Sequence, residues 1–181
     1  NVTGIGRDDN SGLDQQKSLS TATAGSVTID HGAALANNLD FIIWGNNGAV
    51  GNNTTDIPGG YVARTNRVWK TQISGAPGNV TVSVDLEAIG FYSSANVNDY
   101  ALLVNTGTAF NSGSTIYSPA DGINGKVITF SNVAIGNNEF FTIARTTSPA
   151  PGGVSANIKL WLAADAGVTG TSNVSDWADI S

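Results

Sequence analysis

Residues 80–86 alternate strictly between apolar and polar side chains, which predicts a strand with one buried and one solvated face. The apolar set is Val80, Val82, Val84 and Leu86, and the polar set is Thr81, Ser83 and Asp85. Residues 61–73 are also strand-like, because Tyr61, Trp69 and Ile73 share one parity. Turn-forming residues fill positions 74–79. The pattern predicts an antiparallel hairpin covered by a second layer.

Short strand patterns continue along the rest of the chain. Residues 39–44 form a compact apolar run, which predicts a central strand buried on both faces. Turn signals recur every ten to fifteen residues or so, and no segment keeps a helical period. The predicted fold is therefore all-β: an antiparallel β-sandwich, Ig-like or jelly-roll-like, of eight or nine strands with a C-terminal extension strand.

The composition changes near residue 148, which predicts a domain boundary. Residues 1–147 form the predicted sandwich module, 148–153 a Pro/Gly linker and 154–181 a strand-containing tail. The tail is too short for a core of its own, so it docks on its own sandwich, begins the next module or inserts into a neighbouring copy. The predicted inter-module strand includes four apolar residues: Ile158, Leu160, Trp161 and Leu162.

Charge and composition narrow the range of partners. The chain of 181 residues carries a net charge of −6 and contains no cysteine. Its few basic residues are scattered, so nucleic acid is not an expected partner. No apolar run approaches the length needed to cross a membrane. An acidic chain rich in Thr, Asn and Gly and lacking Cys is typical of secreted bacterial β-proteins, so the expected location is extracellular, at the bacterial cell surface.

One acidic loop is the candidate metal site. Asp8, Asp9, Asn10 and Asp14 supply carboxylate and amide oxygens, the ligands that calcium prefers, although their spacing is not that of an EF-hand. The alternative is that Asp8 or Asp9 pairs with an arginine or caps a turn.

A second candidate site combines an aromatic residue with amides. Trp44 stands at the base of a loop that begins with Asn46 and Asn47. An aromatic face packs on a sugar ring while amides bind its hydroxyls, so the trio predicts a glycan site. The alternative places Trp44 in the core.

The residues suited to catalysis have simpler structural explanations. Asp85 and Glu87 share a strand face and could act as paired carboxylates of a glycosidase, but a solvated face with ion pairs to Arg64 or Arg67 gives the same pattern. Arg67 could also stack on Trp69. His31 is an isolated turn residue with no nucleophile elbow in the chain. The chain is therefore predicted not to be an enzyme.

Five stretches form a recognisable set of motifs: 4–9 (GIGRDD), 44–48 (WGNNG), 67–70 (RVWK), 100–104 (YALLV) and 140–144 (FFTIA). Together they resemble a β-sandwich repeat module of large secreted surface adhesins from Bacteroidetes-type and marine Gram-negative bacteria. In the tail, 160–168 (LWLAADAGV) and 174–179 (VSDWAD) resemble the opening of a concanavalin/laminin-G-like module. The resemblance implies a non-enzymatic adhesive or structural module, joined by its tail strand to a neighbouring module or copy. A carbohydrate-binding module that recognises surface glycans is the alternative.

Overall fold

The computed structural model describes residues 2–19, 26–146, 168–169 and 176–177. Within them the chain forms two large antiparallel sheets, a small two-stranded one and one 3₁₀ turn at Val97–Asp99, with no helix long and apolar enough to cross a membrane. The two large sheets make up the sandwich. The fold is the predicted all-β antiparallel sandwich. Its two sheets contain fourteen strands rather than eight or nine, because several predicted loops add strands of two or three residues.

The larger sheet has nine strands, in the spatial order β11-β10-β14-β8-β5-β1-β2, with β7 also beside β14 and β6 beside β7. These strands are β1 (Val2–Asp8), β2 (Leu13–Gln15), β5 (Phe41–Asn46), β6 (Asn52–Asn53), β7 (Ala63–Thr65), β8 (Trp69–Ser74), β10 (Tyr100–Asn105), β11 (Thr115–Tyr117) and β14 (Phe140–Arg145). The two terminal strands, β2 and β11, have three residues each, which limits the exposed edge.

The smaller sheet has the order β12-β13-β9-β4-β3. Its strands are β3 (Lys17–Leu19), β4 (Val27–Asp30), β9 (Val80–Asp85), β12 (Gly122–Asn124) and β13 (Val127–Val133). A separate pair, β15 (Val168–Thr169) and β16 (Asp176–Trp177), lies in the tail. The predicted inter-module strand at 158–162 lies outside the described residues, and the division into module, linker and tail stays a prediction.

The predicted hairpin is wrong, because β8 and β9 belong to different sheets. Both strands do bury one face, but these faces meet across the core instead of lying side by side. The loop between the strands is therefore an arch that carries the chain from one sheet to the other. Alternation reports which face of a strand is buried and leaves its neighbour in the sheet undetermined.

The space between the sheets is filled by alternate residues of facing strands. Val80, Val82 and Val84 of β9 are buried against the larger sheet's apolar residues. Trp69 stacks on Phe141 of the adjacent strand, with ring centroids 5.4 Å apart and an interplanar angle of 10°. Aromatic pairs of this kind stabilise a protein by about 0.5–1.5 kcal/mol beyond the contribution of the apolar area they bury. This contact anchors β8 to β14.

A smaller apolar cluster covers part of the larger sheet's outer face. Ala101 and Leu103 of β10 pack there with Phe110 and Ala144, while alternate residues of β10 face the main core. Residues 100–104 are therefore buried on both faces. The remaining outer face, over β1, β5 and β8, has no second layer of described residues. Ile43 of β5 is accordingly 39% exposed, so the prediction that this strand is buried on both faces is wrong.

Candidate functional site

The predicted calcium loop forms the turn between β1 and β2. Arg7 Nε donates to Asp9 Oδ1 at 2.7 Å, and this contact raises the pKa of Arg7. Asp8 Oδ1 accepts from Asn10 N at 3.0 Å, while Asp14 accepts from Gln16 Nε2 at 3.4 Å.

The structure thus shows the alternative arrangement, with Asp9 paired to an arginine and Asp8 capping the turn. Within the described residues no three His, Asp or Glu side chains form a group able to hold a metal ion. Calcium at this loop stays a prediction.

Trp44 lies in the core, as the alternative interpretation predicted. It is 2% exposed and belongs to the main apolar cluster, so its ring presents almost no surface to a sugar in this structure. A glycan site at Trp44, Asn46 and Asn47 stays a prediction. Asn47 holds the following loop: its Oδ1 accepts from Ala49 N and Val68 N, both at 3.1 Å. Asn46 Oδ1 accepts from Gly48 N at 2.8 Å.

The charged residues predicted to meet across a hairpin lie apart. Asp85 Oδ1 caps the following turn by accepting from the backbone N–H groups of Glu87 and Ala88, and Glu87 pairs with Lys126. Arg64 pairs with Asp56. Among the described residues, neither Arg64 nor Arg67 forms an ion pair with Asp85 or Glu87.

A groove on the outer face of the larger sheet is a candidate site. Its volume is about 680 Å³. The strand register places Val2, Gly45, Lys70 and Phe140 in one row across β1, β5, β8 and β14. The next row contains Ile43 opposite Gln72. Lys70 and Gln72 point outward because Trp69 and Thr71, of the opposite parity, are buried.

Two glycines of β1 leave space for side chains of the neighbouring strand β5. A Cβ on Gly6 would lie 2.0 Å from the ring of Phe41, and a Cβ on Gly4 would lie 3.2 Å from Cγ1 of Ile43. The side chains of Phe41 and Ile43 thus lie over β1 where its glycines leave space. This packing gives the Gly4-Ile5-Gly6 motif a physical role that the sequence pattern alone does not reveal.

Loops 46–51 and 66–68 form one wall of the groove and are tied to each other. Asn47 Nδ2 donates to Asn66 O at 3.2 Å, and Asn66 Nδ2 donates to Val50 O at 3.0 Å. Arg67 Nε donates to Ala49 O at 3.1 Å, so the predicted stacking of Arg67 on Trp69 is replaced by a loop contact. The wall is held by side-chain amides, which explains the many asparagines there.

The Arg64–Asp56 pair supports the wall at one end. Arg64 NH2 donates to Asp56 Oδ2 at 2.6 Å, and the Arg64 guanidinium lies 5.1 Å from the ring centre of Phe110. Asp56 Oδ1 accepts from Phe110 N at 2.7 Å and Asn111 N at 3.0 Å. Burial opposes ionisation of Asp56, but the hydrogen bonds from Arg64 and the two backbone N–H groups outweigh it and lower its pKa. The pair pins the 106–113 loop, which carries Thr108, against the sheet.

The groove offers polar groups that the protein itself does not use. Lys70 Nζ lies 5.4 Å from the ring centre of Phe140 and has no carboxylate partner among the described residues. Gln72, Thr108 and Asn138 are exposed at the groove, and no hydrogen bond within the described part of the chain uses their side chains. Such groups are available to a ligand.

All three predicted glycan-site residues, Trp44, Asn46 and Asn47, line the groove, although Trp44 is only 2% exposed. The sequence reasoning missed Ile43, Lys70, Gln72 and Phe140. The alternation along β8, in which Trp69 and Ile73 share one parity, is a signal that could have placed Lys70 and Gln72 on the solvated face. Their proximity to Ile43 and Phe140 depends on the pairing of β8 with β5 and β14, which local sequence does not encode.

By its fold the protein is an antiparallel β-sandwich, and the outer face of its larger sheet carries an open groove lined by both polar and apolar residues. The chain belongs to the family described as Domain of unknown function (DUF8202), whose model matches residues 1–139. No curated protein and no solved structure matches the chain. The match covers the sandwich up to the residue before β14.

Proposed function

We propose that the chain is a non-enzymatic recognition module of an extracellular, multi-domain bacterial surface protein, and that it acts in adhesion through the groove. The observation that carries this proposal is the row of outward-facing side chains across four paired strands, with Lys70 beside Phe140 and Gln72 beside Ile43. A paired sheet is a rigid support, so these side chains are positioned before a ligand arrives and little ordering is required on binding.

The chemistry of the lining suits binding better than turnover. The residues that line the groove include no Asp, Glu or His, the side chains that most often transfer protons in catalysis. They do include apolar groups, amides and a lysine. This combination supports recognition by contact and hydrogen bonding, and the groove is shallow enough to receive part of a long polymer or a cell surface.

Joining to the neighbouring unit is the second part of the proposal, and the sequence of the tail supports it. Residues 158–162 combine β-branched, leucine and tryptophan side chains, which favour a strand that pairs with a partner. In an adhesive protein the sandwich would resist extension while the tail strand links it to the next module or a second copy.

Adhesion of beads that carry the protein to bacterial or host surfaces tests the groove. Ile43→Asp places a charge on the groove floor, and Ile116→Asp is a matched control because Ile116 is 42% exposed on edge strand β11 of the same sheet. We expect Ile43→Asp to abolish binding and Ile116→Asp to retain it, with both variants folded by circular dichroism. Equal binding by the two variants would refute the groove as the contact surface.

A further inference from the structure

We propose that the groove binds an acidic glycan, a polysaccharide chain whose sugar rings carry carboxylates. The inference rests on the proposed function and specifies its ligand. It starts from the local charge. The whole chain has a net charge of −6, yet the groove lining contains Arg64 and Lys70 and no carboxylate.

Lys70 is the cation available to a ligand. Arg64 is 6% exposed and held by Asp56, so its charge is largely neutralised before any ligand binds. The Lys70 side chain is exposed, and its ammonium rests beside the Phe140 ring with no ion-pair partner in the described chain. Glu139 precedes Phe140, but its carboxylate accepts from Gly136 N at 2.6 Å. A ligand carboxylate can therefore approach Lys70 as its counterion.

The groups around Lys70 suit sugar rings. Phe140 and Ile43 offer apolar surface to the C–H face of a ring, and Gln72, Asn138 and Thr108 offer hydrogen-bond donors and acceptors to hydroxyls. Neighbouring strands are about 4.8 Å apart, so the row from β1 to β14 spans roughly 14 Å. That length and the open shape favour a run of several sugar rings.

An acidic peptide fits this surface less well. Extended peptides bind sheets by pairing with a free strand edge, whereas β5 and β8 are each paired on both sides and β14 is paired with β10 on one side and β8 on the other. A helical peptide needs an apolar stripe of anchors, and the floor supplies few apolar side chains. The surface offers side-chain amides and hydroxyls instead, which match a ligand rich in hydroxyl groups.

Isothermal titration calorimetry with oligogalacturonide, and with its methyl-esterified form of the same length, tests the inference. The two probes share a backbone and differ in charge. We expect the acidic form to bind, and to bind more weakly as salt is raised. The ester should bind at least about tenfold more weakly, because it loses the charge-assisted hydrogen bond to Lys70.

Three variants locate the contact. Lys70→Gln replaces the ammonium with a neutral amide that can still donate a hydrogen bond, and should weaken binding of the acidic form about tenfold, while its effect on the ester should be small. Lys70→Arg should restore most of the affinity. Lys17→Gln removes the same charge from edge strand β3 of the other sheet, where Lys17 pairs with Asp30, and should leave binding unchanged.

The outcomes separate this inference from the proposed function. Equal binding of acid and ester, or no effect of Lys70→Gln, would overturn the acidic class, while loss of binding in Ile43→Asp would still support the groove. Binding of polyglutamate with the same Lys70 dependence, but of neither glycan, would replace the glycan with an acidic peptide. Absence of binding to both glycans also overturns the inference, whereas the bead-adhesion assay judges the proposed function independently.

Discussion

The buried carboxylate of Asp40 is the most direct point at which to test how the two sheets are joined. Asp40 is 1% exposed, and its Oδ1 accepts from Ala76 N, in the arch loop, at 3.0 Å. Its Oδ2 accepts from both the backbone N and the side-chain Nδ2 of Asn37, each at 3.1 Å. Burial opposes ionisation of Asp40, but these hydrogen bonds outweigh it and lower its pKa. The arch is thus fixed to the larger sheet by one ionised side chain.

Asp40→Asn changes this contact with almost no change in shape. Whichever way the new amide turns, its NH₂ group faces a donor, so the backbone N–H of either Ala76 or Asn37 loses its acceptor at a partly buried contact. Leaving such a group unsatisfied costs about 1–3 kcal/mol, and we expect a loss of about 2 kcal/mol. Asp40→Ala leaves all three donors without their acceptor and should lower the free energy of unfolding by about 4 kcal/mol.

Equilibrium urea unfolding, followed by the fluorescence of buried Trp44 and Trp69, measures these losses. For a chain of this size, about 2 kcal/mol lowers the melting temperature by roughly 4–8 °C. Asp14→Asn is the matched control, because Asp14 is exposed and accepts only a long hydrogen bond from Gln16; its effect should stay within about 0.5 kcal/mol. If Asp40→Asn unfolds at the same urea concentration as Asp14→Asn, the carboxylate does not pin the arch.

Gly75 provides an independent check on the same contact. It has a φ of +73°, and a Cβ there would lie 2.0 Å from Asp40 Oδ1. Gly75→Ala should therefore destabilise the protein for two reasons. The left-handed backbone conformation strains an alanine by about 1–2 kcal/mol, and the new Cβ displaces the Asp40 carboxylate. In the Asp40→Ala background only the backbone cost should remain. Additive losses in the double mutant would contradict the proposed clash.

Three further predictions address other parts of the chain. Asp56→Asn leaves Arg64 buried without its counterion and should cost about 2–3 kcal/mol of stability at pH 7. The folded-state pKa of Asp56 is lowered from an ordinary 3.8, so the stabilisation from its carboxylate is complete above that value and disappears as the pH falls through the folded pKa. Urea unfolding at pH 3 should therefore show a smaller difference in stability between the variant and the unmodified protein. Calcium bound at Asp8, Asp9, Asn10 and Asp14 would raise the melting temperature, and an identical melting temperature in excess chelator would exclude it. Association through residues 158–162 should appear as a concentration-dependent mass in light scattering that Trp161→Asp reduces; a monomer at every concentration would exclude non-covalent joining.

The sequence predicted the fold class because period-two alternation is a local property. Each strand's buried parity is set by residues two apart, and β9 follows it without exception: Val80, Val82 and Val84 are all buried. The number of strands was underestimated because elements such as Asn52–Asn53 are too short to show any period. Their existence depends on the neighbouring strand, β7, with which they pair.

The candidate site was only partly predictable for a related reason. The Asn46-Asn47 loop was recognised as a place where ligands could bind, and it does line the groove. Ile43 was assigned to the core because an apolar run does not reveal whether both faces of its strand are covered. Phe140 lies 70 positions away from Lys70 in sequence, and only the strand register brings the two side chains together.

The arch between β8 and β9, where the sequence predicted a hairpin, explains why the groove exists. A hairpin of β8 and β9 would have placed β9 beside β8 in the larger sheet, in a position that β5 or β14 now occupies. Without β14 there, Phe140 could not lie beside Lys70; without β5, Ile43 could not face Gln72. Because the arch sends β9 to the other sheet, both edges of β8 remain open to these strands. Asp40 Oδ1 accepts from Ala76 N in this arch, so the contact stabilises the connection on which the strand order of the groove depends.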